Sequence, residues 1–218
     1  MTATAERTPD NHAPWVVTRA GERMLDQRLV LTARGVAFPD ETPFDRDDHG
    51  VLWTRWGGRP VGRPQMANVH SLRQRRAMRQ LLCQGCKQPA DRNQNGTLWL
   101  IEDDRAGAEV DWPERQMTMH PPTCRPCADR SRRLCPHLRR TGSVLLRVRT
   151  PEIAGVRGYL CQQDGDFLVR AKTVELEYID PQRHLVVAVH QLMSLEGCQI
   201  IDTRAAARTD TIPRTRQP

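Results

Sequence analysis

The chain lacks any uninterrupted apolar run of membrane-spanning length, so no helical span is expected anywhere in its 218 residues and no membrane partner is assigned. Its first residues, Met1-Thr2-Ala3-Thr4-Ala5-Glu6, lack the apolar centre of a secretory signal, which makes a cytoplasmic location the expectation. A phosphate-binding loop is missing as well. Gly57-Gly58-Arg59-Pro60-Val61-Gly62-Arg63-Pro64 has the residues of a turn-rich connector but not the spacing of a Walker A or dinucleotide motif. There is no internal repeat and no clear catalytic constellation. With 38% hydrophobic and 27% charged residues, the composition is that of a soluble protein with enough apolar material for a core.

Charge is present in excess, and it is localised. Residues 1–70 balance nine basic against nine acidic residues, residues 71–150 hold 16 basic against eight acidic, and residues 151–218 hold eight against nine. The formal +7 therefore resides around the central cysteines. A positive segment of that kind suits phosphate or an acidic partner.

Seven cysteines, an odd number, occur without a signal segment, and four of them form two CxxC pairs. That pattern favours metal binding in a reducing compartment over a disulfide framework. Cys161 and Cys198 are expected to behave as small buried residues. Cys83-Gln84-Gly85-Cys86 and Cys124-Arg125-Pro126-Cys127 have the spacing of two metal knuckles, with Gly85 and Pro126 fitting the tight turns between ligands. Four thiolates suit tetrahedral zinc, and such a sphere is closed, which points to a structural rather than a catalytic ion. Zn2+ is the expected cofactor. Cys135-Pro136-His137 lies just downstream, and His120, Cys135 and His137 form a candidate second metal site.

Local patterning divides the chain into a flexible N-terminus over 1–14, a β-rich region over 15–66, a basic four-cysteine module over 67–140, an antiparallel β-rich domain over 141–201 and a flexible tail over 202–218. From Asn68 to Leu82 the period turns helical, with Val69, Leu72, Leu81 and Leu82 as apolar contacts and Ser71 as a cap. Gly96-Thr97-Leu98-Trp99-Leu100-Ile101-Glu102 reads as a strand, and a helix can begin at Ala128. Ser143–Arg149, Gly158–Cys161, Asp166–Val169 and Val174–Ile179 read as further strands, while Leu185–Val189 fits a strand or the start of a helix.

The order of knuckle, hairpin, knuckle and helix over residues 83–134 resembles a treble-clef zinc module, with a zinc ribbon as the alternative if no helix follows Cys127. The fold class expected on that basis is α+β, with a central treble-clef or zinc-ribbon-like module flanked by β-rich N- and C-terminal regions. The spacing also resembles the HNH endonuclease architecture, in which cysteine pairs brace a nuclease core. Only the cysteines match, because Leu98-Trp99-Leu100-Ile101-Glu102-Asp103-Asp104 lacks the family's catalytic His. The acidic groups Asp45-Asp47-Asp48 and Glu102-Asp103-Asp104 offer cation or base chemistry, against the ordinary reading of solvated loop charge.

Together these features favour a noncatalytic zinc protein associated with DNA or RNA. Its phosphate-binding surface is assigned to Arg73, Arg75, Arg76, Arg79, Arg130, Arg132, Arg133, Arg139 and Arg140. Two alternatives stand beside it: a protein-interaction adaptor in a larger assembly, using Trp53 and Trp56, and a divergent HNH-like nuclease.

Overall fold

A computed structural model describes residues 13–26 and 28–205 of the protein. In chain order the elements are β1 (Val17–Arg19), β2 (Glu22–Met24), β3 (Val30–Thr32), β4 (Gly35–Ala37), β5 (Leu52–Trp53), β6 (Trp56–Gly58), β7 (Pro64–Val69), α1 (Ser71–Gln80), β8 (Arg92–Asn93), β9 (Gly96–Glu102), β10 (Gln116–Thr118), α2 (Arg125–Leu134), α3 (Pro136–Thr141), β11 (Ser143–Asp164), β12 (Phe167–Glu177) and β13 (Val186–Arg204). The expected mobile N-terminus lies outside the described residues over 1–12, as does the expected tail over 206–218. Residues 202–204 of that tail are the end of β13.

One seven-stranded sheet organises the molecule. Its order is β10-β13-β11-β9-β8, with β12 also pairing β11 and β5 pairing β13. The spine is the antiparallel pair β11 and β13, which runs from Ser143 opposite Arg204 to Leu160 opposite Val186 with register shifts at Leu145/Leu146, Ile153/Gly155 and Arg157/Gly158. On the other edge of β11, β9 covers Ser143–Val148 and β12 covers Gly155–Asp164. Pro151 falls in the gap between them, where β11 has no neighbour on that edge and the missing N–H costs no ladder bond. What the local pattern divides into two short strands is therefore one strand of 22 residues. The ambiguous Leu185–Val189 segment enters β13.

The α+β class expected from the sequence is overturned. The protein is dominated by strands, and its three α-helices have only 10, 10 and 6 residues. The reason lies in β9. Its sequence Gly-Thr-Leu-Trp-Leu-Ile-Glu is buried at every position but the last, on both faces. A strand apolar on both faces requires cover on both sides and cannot serve as the solvent-facing arm of a small independent zinc module. Trp99 and Ile101 pack with Met78 of α1 and with Val144, Leu146, Met193 and Leu195, while Leu98 and Leu100 pack with Ala128 of α2 and with Leu145. Each such fully buried aliphatic side chain contributes about 1.5–3 kcal/mol. The segment between the cysteine pairs thus supplies strands to the same sheet as the C-terminal half of the chain.

α1 lies across one face of this sheet. Ser71, Gln74, Ala77 and Met78 form its buried stripe, whereas Leu72, expected inside, is half exposed. Ser71 is the first helical residue rather than the cap, and its hydroxyl meets those of Thr54 and the indole of Trp56. Gln74 is fully buried. Its amide donates to the carbonyls of Met119 and Gln191 and accepts from the Gln191 N–H, so one side chain ties α1 to β13 and to the segment after β10. No helix among the described residues is long and apolar enough to cross a membrane.

Candidate metal centre

Four sulfurs converge where the first knuckle meets the start of α2. The Sγ atoms of Cys83, Cys86, Cys124 and Cys127 all lie within 4.8 Å of one another, and among the described residues this is the group able to hold a metal ion. Cys83 Sγ is 3.6 Å from Cys124 Sγ, and Cys86 Sγ is 3.8 Å from the same atom. A tetrahedral metal–thiolate sphere with bonds of about 2.3 Å places neighbouring sulfurs about 3.8 Å apart, close to the two separations from Cys124 Sγ, so the donor set is compatible with such an ion.

Local sequence explains how each sulfur is placed. α1 ends at Leu81, whose left-handed conformation (φ 49°) turns the chain into the first knuckle. That knuckle is pinned from three sides: Cys83 N–H donates to Gln88 O, Gln84 N–H to Pro122 O, and Trp15 N–H to Gly85 O. A Cβ at position 85 would sit 2.8 Å from Cys127 Sγ and 3.6 Å from Cys83 Sγ, so only glycine lets the backbone approach this closely. Cys124 is the N-cap of α2, with Pro126 in the first turn, and Cys127 follows on the helix face that carries Ala128 and Arg132 inward.

The electrostatics also ask for a cation. Burial raises the Cys83 thiol, but hydrogen bonds from the Cys86 and Cys124 amides and the Thr123 hydroxyl outweigh it and bring the pKa to about 7. Burial pushes Cys124 and Cys127 up, and the neighbouring Cys83 sulfur pushes them further. Four thiolates at this spacing repel one another unless a positive ion sits between them.

The candidate second site is arranged differently. His120, Cys135 and His137 bring no third ligand atom together in a comparable group among the described residues. His137 Nε2 meets Glu102 Oε2 at 2.9 Å, and Cys135 is the junction of α2 and α3. His120 lines a cavity of about 160 Å³ with Glu102, Asp104, Thr118 and Glu175. His120 and Asp104 are both exposed by surface area; partial desolvation at the cavity, helped by His137, lowers the His120 pKa, and partial desolvation with the Glu102 and Asp103 charges raises that of Asp104.

The nine arginines assigned from sequence fall into two sets. On α1, Arg73 is paired with Glu22 and donates to the carbonyls of Trp15 and Val17. Arg75 lies 4.7 Å over the Trp53 ring, Arg79 pairs with Asp48 at 2.6 Å, and Arg76 is exposed and donates to Gln80. Arg132 is buried, paired with Asp202 and bonded to Ser143. Arg130, Arg133, Arg139 and Arg140 have no carboxylate within 4 Å among the described residues; Arg130 is half-buried and the other three are exposed. Arg130 and Arg133 belong to α2, which begins at the cysteine cluster, and Arg139 and Arg140 to α3, which follows it directly after Cys135.

The remaining candidates make contacts within the protein. Trp53 is buried and its indole donates to Asp47, which also accepts from Tyr178. Trp56 stacks on His70 at 4.3 Å. Asp45 is held by Arg55 and Asp48 by Arg79, so the first acidic group consists of partnered side chains. Sequence reasoning missed Gln74, Arg204 and the Arg132–Asp202 pair, none of which carries a local signal. No match was found to any family model, curated protein or solved structure.

Proposed function

We propose that the protein is a noncatalytic, zinc-stabilised protein that associates with nucleic acid. Zinc is the ion that four cysteine sulfurs in a closed tetrahedral set suit best, and a closed set leaves no position for water or substrate. The observation that carries the reading is the contrast among the arginines. Those of α1 are largely engaged by the protein's own acids, carbonyls and aromatic rings, whereas Arg130, Arg133, Arg139 and Arg140 have no carboxylate within 4 Å among the described residues and lie on α2, which begins at the cluster, and on α3, which follows it. Arg130 and Arg133 are three residues apart on one helix face, as arginines contacting neighbouring phosphates would be.

The test is binding to duplex and single-stranded oligonucleotides across a salt series, with metal-loaded and chelated protein. Four phosphate contacts give a slope of log K against log salt of about −3 to −4 on duplex. Absence of binding to either form at low salt overturns the reading. Oligonucleotides recovered intact after incubation with divalent ions fit a binding protein.

A second reading rests on the cavity beside Glu102, Asp104 and His120, which places imidazole and carboxylates together at the end of β9. Metal-dependent cleavage of nucleic acid, lost in His120→Ala, would favour a nuclease over a binding protein.

A further inference from the structure

We propose that the hollow between α2, α3 and the end of β13 is a phosphate-binding pocket that takes a terminal phosphate, the phosphomonoester end of a nucleic-acid strand. The proposal rests on the nucleic-acid reading for its macromolecular partner, and on the pocket's own chemistry for its ligand.

The hollow has a volume of about 240 Å³ and is lined by Arg132, Arg133, Arg139, Arg204 and Ala205. Four of five lining residues are arginine and none is acidic. Arg133, Arg139 and Arg204 are exposed and have no carboxylate within 4 Å among the described residues. Arg132 forms the fixed wall. It is 3% exposed, and Asp202 and both the hydroxyl and carbonyl of Ser143 hold its guanidinium in place.

Three separate elements bring these residues together. Arg133 is in the last turn of α2, and the break at Cys135 followed by Pro136 redirects the chain so that Arg139, six residues on, lines the same hollow. Arg204 arrives from the far end of the chain, placed by its pairing with Ser143 in the β11–β13 ladder. Arginines drawn from distant segments to one hollow, with no carboxylate within 4 Å of Arg133, Arg139 or Arg204 among the described residues, form a cationic surface that an anion would stabilise. Guanidinium groups match phosphate oxygens in paired hydrogen bonds, which makes phosphate the anion this donor set suits.

Charge count selects the terminal group. A phosphomonoester carries about −1.5 to −2 at pH 7 with three free oxygens, against one charge on a backbone diester. Three arginine side chains without a carboxylate within 4 Å among the described residues line a single hollow and together match the dianion, whereas a surface tracking a backbone would distribute them along a line. Arg130 and Arg140 lie outside the lining and remain for the phosphates that follow.

The experiment compares one short single strand ending in a phosphate with the same strand ending in a hydroxyl, by fluorescence anisotropy, alongside NMR titration of the arginine Nε–H signals with inorganic phosphate. The expected result is that the terminal phosphate tightens binding about tenfold, the scale of one or two charge-assisted hydrogen bonds. That difference disappears in Arg139→Gln and in Arg204→Gln, while Arg140→Gln weakens both strands alike. Melting curves establish that the variants are folded. Equal binding of the two strands, with no phosphate-induced shift at Arg133, Arg139 or Arg204, overturns the pocket and leaves the nucleic-acid reading standing. Phosphate shifts at those three arginines without binding of either strand support the pocket for a free phosphate and overturn the nucleic-acid reading.

Discussion

Gly85 and Cys127 belong to different cysteine pairs, yet a Cβ on Gly85 would come within 2.8 Å of the Cys127 sulfur. The glycine is therefore part of the cysteine cluster's geometry even though it offers no ligand. Gly85→Ala forces the two knuckles apart and is expected to lower metal affinity about 10- to 100-fold, the range seen when groups supporting a ligand shell are altered. Competition with a coloured chelator measures this directly. Unchanged affinity would mean that the knuckles are looser than the structure places them.

Gln74 is the polar residue on which the packing of α1 depends. Its two hydrogen bonds with Gln191 are buried and the third, to Met119 O, is partly so, and Gln74→Ala creates a cavity and leaves carbonyls and an N–H without partners. The expected loss is about 2–4 kcal/mol in urea unfolding. Gln80→Ala at the exposed end of the same helix serves as the control and should change stability little.

Acid should weaken the protein in two stages. Burial, with Arg73 for His70 and with Arg157 and His120 for His190, holds both imidazoles near a pKa of about 4, against the ordinary 6.5. Between those values the unfolded chain binds protons that the folded chain refuses, so stability falls as pH drops from 6.5 toward 4. A second stage follows from Asp45, which the Arg55 guanidinium holds at about 2 against 3.8. Its contribution is present above pH 4 and is lost between 4 and 2. Unfolding midpoints measured against pH should lose part of the upper stage in His190→Leu and part of the lower in Asp45→Asn. The metal centre's own pH response is common to all three proteins, so the differences isolate these groups. Parallel profiles would contradict the assignment.

The four-cysteine cluster was legible because its signal is local: four cysteines in two short motifs are visible without knowing the fold. The sheet was not. β9 carries apolar residues on both faces, and without the positions of α1 and α2 such a run is indistinguishable from a hairpin arm. Local patterning reads only Ser143–Arg149 and Gly158–Cys161 of β11 as strand, and the gap between β9 and β12 is what makes Pro151 acceptable between them. The arginines illustrate the same limit. Arg73 and Arg133 look alike in sequence, but one is committed to Glu22 and the other has no carboxylate partner among the described residues. Pairings such as Arg132 with Asp202, 70 residues apart, are products of the fold and have no local trace.

The central claim is a closed four-sulfur metal site that anchors α2. X-ray absorption at the zinc edge on protein purified without added metal tests it most directly. The account predicts one zinc per chain with four sulfur neighbours at about 2.3 Å and no nitrogen or oxygen in the sphere. A mixed sphere that includes imidazole or water, or a metal-free chain with the same melting temperature, would contradict it.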